Sequence, residues 1–274
     1  VIVAARTLDE MWSTACERML FSRRDEVDFT GGMYTLNYDN VLESSSMLFD
    51  YDMGRDGWLT PSRWTKLQRD YLDPPEVVPF IERGVDIAQR AGRRGIITQM
   101  NFRMNEKNLA QRTHVWGNCL MSVTYRGGPK WGRPAVTVHS RVGHIAWLGA
   151  LDLSLVTVIM RHIAERSGQE LADFKLRWYL DSMSWHSFKS IPFIMSHGFY
   201  EDVLNEKRYP NREYPAITAS RSWIRRLETT PIENFKFGQA QRMAKRWDII
   251  HNGHGFKHLH VDNLELLPEM LEDY

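Results

Sequence analysis

The stretch Leu148–Ile163, LGALDLSLVTVIMRHI, constrains this chain more than any other. It is apolar nearly all round until Arg161, and a helix of that kind belongs in the middle of a domain. It carries Asp152 and Arg161 and reads as too short to span a bilayer. The rest of the chain must therefore supply layers that cover it. Ala135–Trp147 supplies one: Val136 and Val138 alternate with Thr137 and His139, the period of a strand. The helix itself is predicted over Leu151–Arg166, ended by Ser167-Gly168. Leu176–Trp185 reads as the next strand.

Upstream, Leu8–Arg24 has Met11, Ala15, Met19 and Leu20 at helical spacing. Met33–Tyr38 follows as a strand after Gly31-Gly32. Asp50–Trp58, DYDMGRDGW, has the alternate aspartates of a calcium loop. Its twelfth position is Pro61, where such a loop needs a bidentate glutamate, so a surface turn is the better reading. Glu76–Ala91 is a helix just past Pro74-Pro75, and Ile96–Phe102 and Leu120–Tyr125 are strands. Residues 127–134 are a turn-rich connection without the lysine and hydroxyl pair of a phosphate-binding loop. A proline-rich loop over 209–215 precedes two helical stretches. Strands and helices without strict alternation give an α+β fold. No repeat or long linker divides the chain, so one domain over 1–274 is expected.

The 274 residues suffice for a sizeable core. A formal net charge of +1 gives no global basic field, so a nucleic-acid polymer is not expected as partner. A small anion needs only a few local arginines. Two cysteines, Cys16 and Cys119, are too few for a disulfide framework and suit a reducing, cytoplasmic setting. The start of the chain lacks the basic and apolar regions of a signal peptide, and no membrane partner is expected.

Three residues carry the candidate chemistry. Cys119 is either a small packing residue or, with Arg141 beside it, a stabilised thiolate nucleophile. Cys16 lies mid-helix and reads as packing. Arg141 is either a structural ion pair or a bidentate clamp on phosphate. Asp152 is either a helix N-cap or a carboxylate facing a pocket. Four histidines, His251, His254, His258 and His260, cluster near the C-terminus without zinc-site spacing, which favours a loop or interface role over a metal.

The order cysteine, Arg141-Val142-Gly143-His144, then Ile145–Asp152 opening an apolar helix, resembles the thymidylate synthase superfamily. Members place a cysteine before a strand ending R-S-C-D, then G-L-G-x-P-F-N and a long buried helix. From Arg141 to Asp152 the patterns align without a gap. Arg93–Asn101, RRGIITQMN, is similar to the family's strand R-R-I-x-x-S-A-W-N. The likeness covers about residues 90–190. It implies a large mixed or antiparallel sheet packed with helices, with one sheet face used for homodimerisation.

Asp152 falls where thymidylate synthases carry the asparagine that faces N3–H and O4 of uracil. Members with aspartate there are cytidylate 5-hydroxymethylases. The resemblance therefore implies transfer of a one-carbon unit from 5,10-methylenetetrahydrofolate to C5 of a cytosine nucleotide, CMP or dCMP, followed by hydration. Cys119 would be the nucleophile at C6 and Asp152 the base reader. Arg141, with Arg24 or Arg23, would hold the phosphate, and Arg93 and Arg94 would reach the partner subunit's phosphate; for this last pair a solvated helix end is equally open. Ser184-Trp185-His186 stands for the family's sugar-binding H-x-Y, giving Ser184 and His186. His144 and Trp147 fall at the folate contacts, with His144 replacing the family's aspartate. Asn118 replaces the proline before the cysteine. The family's catalytic glutamate is not assignable, with Glu43 and Glu82 as candidates. A uridylate hydroxymethylase, a methylating synthase, and a non-catalytic nucleotide-binding homologue stay open as alternatives.

Overall fold

The structure is a computed structural model that describes residues 2–24, 27–30, 33–36, 39–59, 64–65, 76–90, 96–102, 120–127, 132–236 and 238–251. The architecture is mixed α and β, built on one eight-stranded mixed sheet. Its strands are β1 (Ile2–Ala5), β2 (Val27–Thr30), β3 (Met33–Leu36), β4 (Asn40–Ser44), β5 (Ile96–Asn101), β6 (Leu120–Gly127), β7 (Ala135–His144) and β8 (Lys175–Trp185). The main path runs β1-β4-β8-β7-β6-β5. β7 and β8 are parallel, as are β1 and β4, and the other pairs are antiparallel. The C-terminal end of β8 also pairs with β3, which carries β2.

Alternation along each strand shows how the sheet is covered. On β7, Val136, Val138 and Ser140 are buried while His139 and Arg141 are exposed. On β8, Leu176, Trp178 and Leu180 are buried while Lys175, Arg177 and Asp181 are exposed. The buried set joins one core with α1 (Leu8–Leu20), α2 (Val77–Gln89) and α3 (Ala150–Ser167). The other face is left open by the described elements. The apolar side chains of Ile97 and Met121 on β5 and β6 are 58% and 47% exposed there.

α3 is the central helix, as its composition requires, but it starts earlier than the strand pattern of Ala135–Trp147 suggests. β7 stops at His144, and Ile145–Gly149 forms a π-helical turn that runs straight into α3. The combined segment, Ile145–Ser167, is 23 residues long and apolar enough by composition to cross a membrane, yet 78% of its most apolar window is buried within the protein. It is long enough to span, contrary to the shorter reading, and here it serves as a core helix. Trp12 anchors its start by donating from Nε1 to the Ile145 carbonyl at 2.7 Å. α2 approaches it closely: a Cβ on Gly84 would lie 2.5 Å from Ile163 Cδ1. Gly168 closes the helix at φ 71°, so its N–H can bond back to the last turn. Gly168→Ala is expected to cost about 1 kcal/mol, read from a urea denaturation midpoint.

α1 is shorter than predicted. Thr7 caps it, accepting from Glu10 N at 3.2 Å, and it ends at Leu20, which leaves Arg23 and Arg24 exposed just beyond it. Cys16 is buried packing, as expected. The turn at Asp50–Trp58 is mostly interior, contrary to the surface reading. Asp52 accepts from Gly54 N at 2.9 Å and Arg55 N at 3.0 Å, and Arg55 Nε pairs with Asp56 at 2.6 Å. With Asp52 and Asp56 bonded locally, the turn buries Tyr51 and Trp58, both 1% exposed, and the Tyr51 hydroxyl is left without a hydrogen-bond partner among the described residues.

The C-terminal third adds α4 (Ile191–Ser196), α5 (Tyr200–Leu204), α6 (Pro215–Thr229) and α7 (Gly238–His251). Arg221 on α6 is buried at 2% exposure and holds the loop before it. Its guanidinium donates to Val203 O at 2.6 Å, Asn211 Oδ1 at 2.6 Å and Tyr209 O at 2.8 Å. The buried tryptophans serve the core: Trp178 donates to Ser140 Oγ at 2.8 Å and Trp185 to Ser220 Oγ at 3.1 Å.

Candidate functional site

The parallel pair β7–β8 brings His144 and Ser184 into register at one end. Ser184 is fully buried, and its hydroxyl is 3.2 Å from Gly143 O. His144 Nδ1 lies 2.8 Å from the same hydroxyl. A serine hydroxyl both donates and accepts, so this contact holds the imidazole whichever ring nitrogen carries the proton, and Ser184 orients His144.

His186 stands edge-on to His144, with ring centroids 6.2 Å apart. Its Nδ1 is buried and has no hydrogen-bond partner among the described residues. Burial, then Lys189 and His186, lowers His144 to about 4. Burial and then Lys189 lower His186 to about 4 as well. Both imidazoles are neutral at pH 7. Lys189 Nζ sits 4.8 Å from the centroid of the Trp147 ring, a cation–π contact. Trp147 belongs to the π turn and not to the strand predicted for it.

Asp152 lies well inside the continuous helical segment, so it is not an N-cap. It is 4% exposed, and its Oδ2 has no partner among the described residues. Desolvation raises its carboxyl to about 8. At neutral pH it is protonated and offers one O–H donor and one carbonyl acceptor. A polar group buried without a partner costs stability, and such groups persist where function needs them.

Arg141 is on the open sheet face, on the opposite side of β7 from the core-facing positions. It is not the buried arginine its surroundings suggest. Leu120, which follows Cys119 in sequence, pairs with Ser140, which precedes Arg141. The register of β6 shifts between Leu120 and Ser122, a bulge of the kind that re-aims side chains. Cys119, Arg93 and Arg94 lie outside the described residues, as do His254, His258 and His260. Arg24 is exposed beyond α1. Glu43 pairs with Arg177 at 2.5 Å and Glu82 with Arg166 at 2.7 Å, so both candidate glutamates are engaged in surface ion pairs.

A concavity of about 540 Å³ opens on the exposed sheet face, lined by Glu43, Thr124, Arg126, Thr137, Lys175 and Arg177 among others. It sits by the N-terminal ends of β7 and β8. Thr137 precedes His144 by a span of roughly 23 Å at strand rise, so this hollow is separate from the histidine pair. Lys189 escaped the sequence reading because it follows β8 in a loop with no motif around it. The π turn escaped it because Ile145, Ala146 and Leu148 suit strand and helix equally. No protein-family model and no curated protein matches the chain.

Proposed function

We propose that this protein transfers a one-carbon unit from methylenetetrahydrofolate to C5 of a cytosine nucleotide and hydrates the product to 5-hydroxymethylcytidylate. One observation carries the reading. Asp152, buried and protonated, with its Oδ2 unpartnered among the described residues, occupies the position at which the resemblance expects the residue that reads the base. A neutral carboxylic acid can donate to N3 of cytosine and accept from its N4 amine.

In this reading the Cys119 thiolate adds to C6, which makes C5 nucleophilic. The folate supplies a carbon at the oxidation level of formaldehyde. Asp152 holds the ring through N3 and N4 during both steps. C5 attacks the folate carbon and loses its proton to a base, and tetrahydrofolate departs with the electron pair of the carbon–nitrogen bond. Water adds to the exocyclic methylene so formed, and the thiolate leaves C6 as the 5,6 double bond returns. The phosphate falls to Arg24, because Arg141 stands on the open sheet face, across the sheet from Asp152 on the core helix, and Arg93 and Arg94 serve the partner subunit's site. Trp147, half-buried on the π turn beside Lys189, offers the aromatic edge and cation suited to a flat ring with an anionic tail. The open sheet face, with Ile97 and Met121 exposed, supports the homodimer.

The test incubates the protein with methylenetetrahydrofolate and 5-tritiated CMP, dCMP, UMP or dUMP. Tritium release and a 5-hydroxymethyl product are expected from a cytosine nucleotide, and both should vanish in Cys119→Ala. Release from uracil nucleotides alone would remove the cytosine assignment. No release from any of the four would favour a non-catalytic nucleotide-binding protein.

A further inference from the structure

The hollow on the open sheet face lies apart from the site around Asp152, and its lining suits a ligand of its own. Two rows of residues cross its floor in register. In the first, Ala135 on β7 lies between Lys175 on β8 and Arg126 on β6. In the second, Thr137 lies between Arg177 and Thr124. Lys175, Arg126 and Arg177 are exposed and all line the hollow. Its described lining includes one carboxylate, Glu43, which Arg177 already holds at 2.5 Å. We propose that the hollow binds an oligophosphate chain, seated over Ala135 between Lys175 and Arg126.

The register sets the shape of this site. Lys175 and Arg126 stand two strands apart, so their Cα atoms are about 10 Å from one another. Ala135 between them carries only a methyl group, which leaves a notch flanked by two long cationic side chains. A chain of linked phosphates meets both cations with their side chains extended. A single orthophosphate must draw two like charges together. The Arg126 guanidinium offers a planar fork of donors to phosphate oxygens, and the Lys175 ammonium a compact point charge. Thr124 and Thr137 add hydroxyl donors from the next row. The cavity of about 540 Å³ is of the size of small-molecule sites, so it has room for more than one phosphoryl group. Its described lining holds no aromatic ring, so a base gains no stacking there and the phosphate chain is the part recognised. A formal net charge of +1 gives the protein no global pull on anions, which makes any tight binding a local matter.

The test is titration calorimetry with sodium tripolyphosphate at about 0.15 M ionic strength, where loose surface attraction is screened. The homodimer proposed above would set a second copy against this face, so binding is measured on the whole protein as it assembles in solution. Saturable binding is expected, with orthophosphate at least about 10-fold weaker. Lys175→Gln and Arg126→Gln should each weaken tripolyphosphate by about 10-fold. Ala135→Glu places a carboxylate in the notch and should abolish binding. Urea midpoints check that each variant folds, and the two glutamine variants carry the test if the glutamate variant does not. Saturating CMP should leave the affinity for tripolyphosphate unchanged, because Asp152 lies across the sheet on the core helix. ATP should displace tripolyphosphate. Tighter binding of ATP names a nucleotide tail as the source of the chain, and equal or weaker binding names the free oligophosphate. Absence of saturable binding, orthophosphate bound as tightly, an affinity unmoved in both glutamine variants, or displacement by CMP overturns the proposal. None of these outcomes depends on whether the protein turns over a pyrimidine nucleotide.

Discussion

Asp152→Asn is expected to flatten the upper half of the protein's pH–stability profile and to move its base preference towards uracil. The carboxyl rises from 3.8 to about 8 on folding. Across that window the folded chain holds a proton that the unfolded chain has released, so stability falls as pH rises and levels off above about 8. The full span is worth on the order of 5 kcal/mol. His144 and His186 work in the opposite sense. Their depressed values penalise the folded state as pH falls from 6.5 towards about 4, and cost nothing above 6.5. Wild-type stability should therefore peak near pH 6.5 and decline towards pH 8.

The asparagine cannot titrate and keeps the same shape. Its urea midpoint should stay level from pH 6.5 to 9, and at pH 9 it should exceed that of wild type. A wild-type midpoint that does not drop over this range would refute the buried protonated acid. The same substitution replaces an O–H donor by an amide, which matches the N3–H and O4 edge of uracil. The ratio of UMP to CMP turnover should rise, and an unchanged ratio would detach Asp152 from the base.

Arg221→Met is expected to destabilise the fold by about 3–5 kcal/mol. The substitution fills much of the volume but strands acceptors that the guanidinium satisfies, among them the Val203 and Tyr209 carbonyls and Asn211 Oδ1. Each buried acceptor left without a donor costs about 1–3 kcal/mol. The Tyr209 ring packs 5.1 Å from Phe21, at the end of α1, so the loss should also loosen the segment that leads to Arg23 and Arg24. Arg221→Lys keeps the charge but not the planar fork and should recover only part of the loss. Urea melts monitored by tryptophan fluorescence give the comparison. A midpoint within experimental error of wild type would show that the loop is held by other contacts.

The core was legible in the sequence where the pattern was long and strongly periodic. The apolar helix, β7 and β8 follow from Val136, Val138 and the run to Ile163. The short strands β1 and β4 were not, because four or five residues carry too little alternation to stand out. Their pairing is fixed by tertiary contacts with one another and with β8. At the site, the pattern located Asp152 and His144 but misjudged their settings. Asp152 looked like a cap because Ile145–Gly149 carries no helix signal of its own. Arg141 lies on a strand that is otherwise suited to burial, and the strand's alternation turns it outward. Ser184 looked like a ligand contact, and only the register of β8 against β7 shows that its hydroxyl serves His144. Arg221 had no signature, since its partners are mostly backbone oxygens that the fold gathers around it.

The π turn at Ile145–Gly149 has a consequence for how this chain can vary. Each helical residue advances the side-chain direction by about 100°. The turn lies between a strand whose register is fixed by β8 and a helix whose contact with α2 is fixed by Gly84 and Ile163. It works as a phase adjuster between two clamped ends. Losing one residue there would keep the β7–β8 register only by turning α3, and the Asp152 carboxyl with it, by about 100° against α2. The distance in sequence from His144 to Asp152 is therefore a mechanical setting, and length changes should be borne in the loops around it instead.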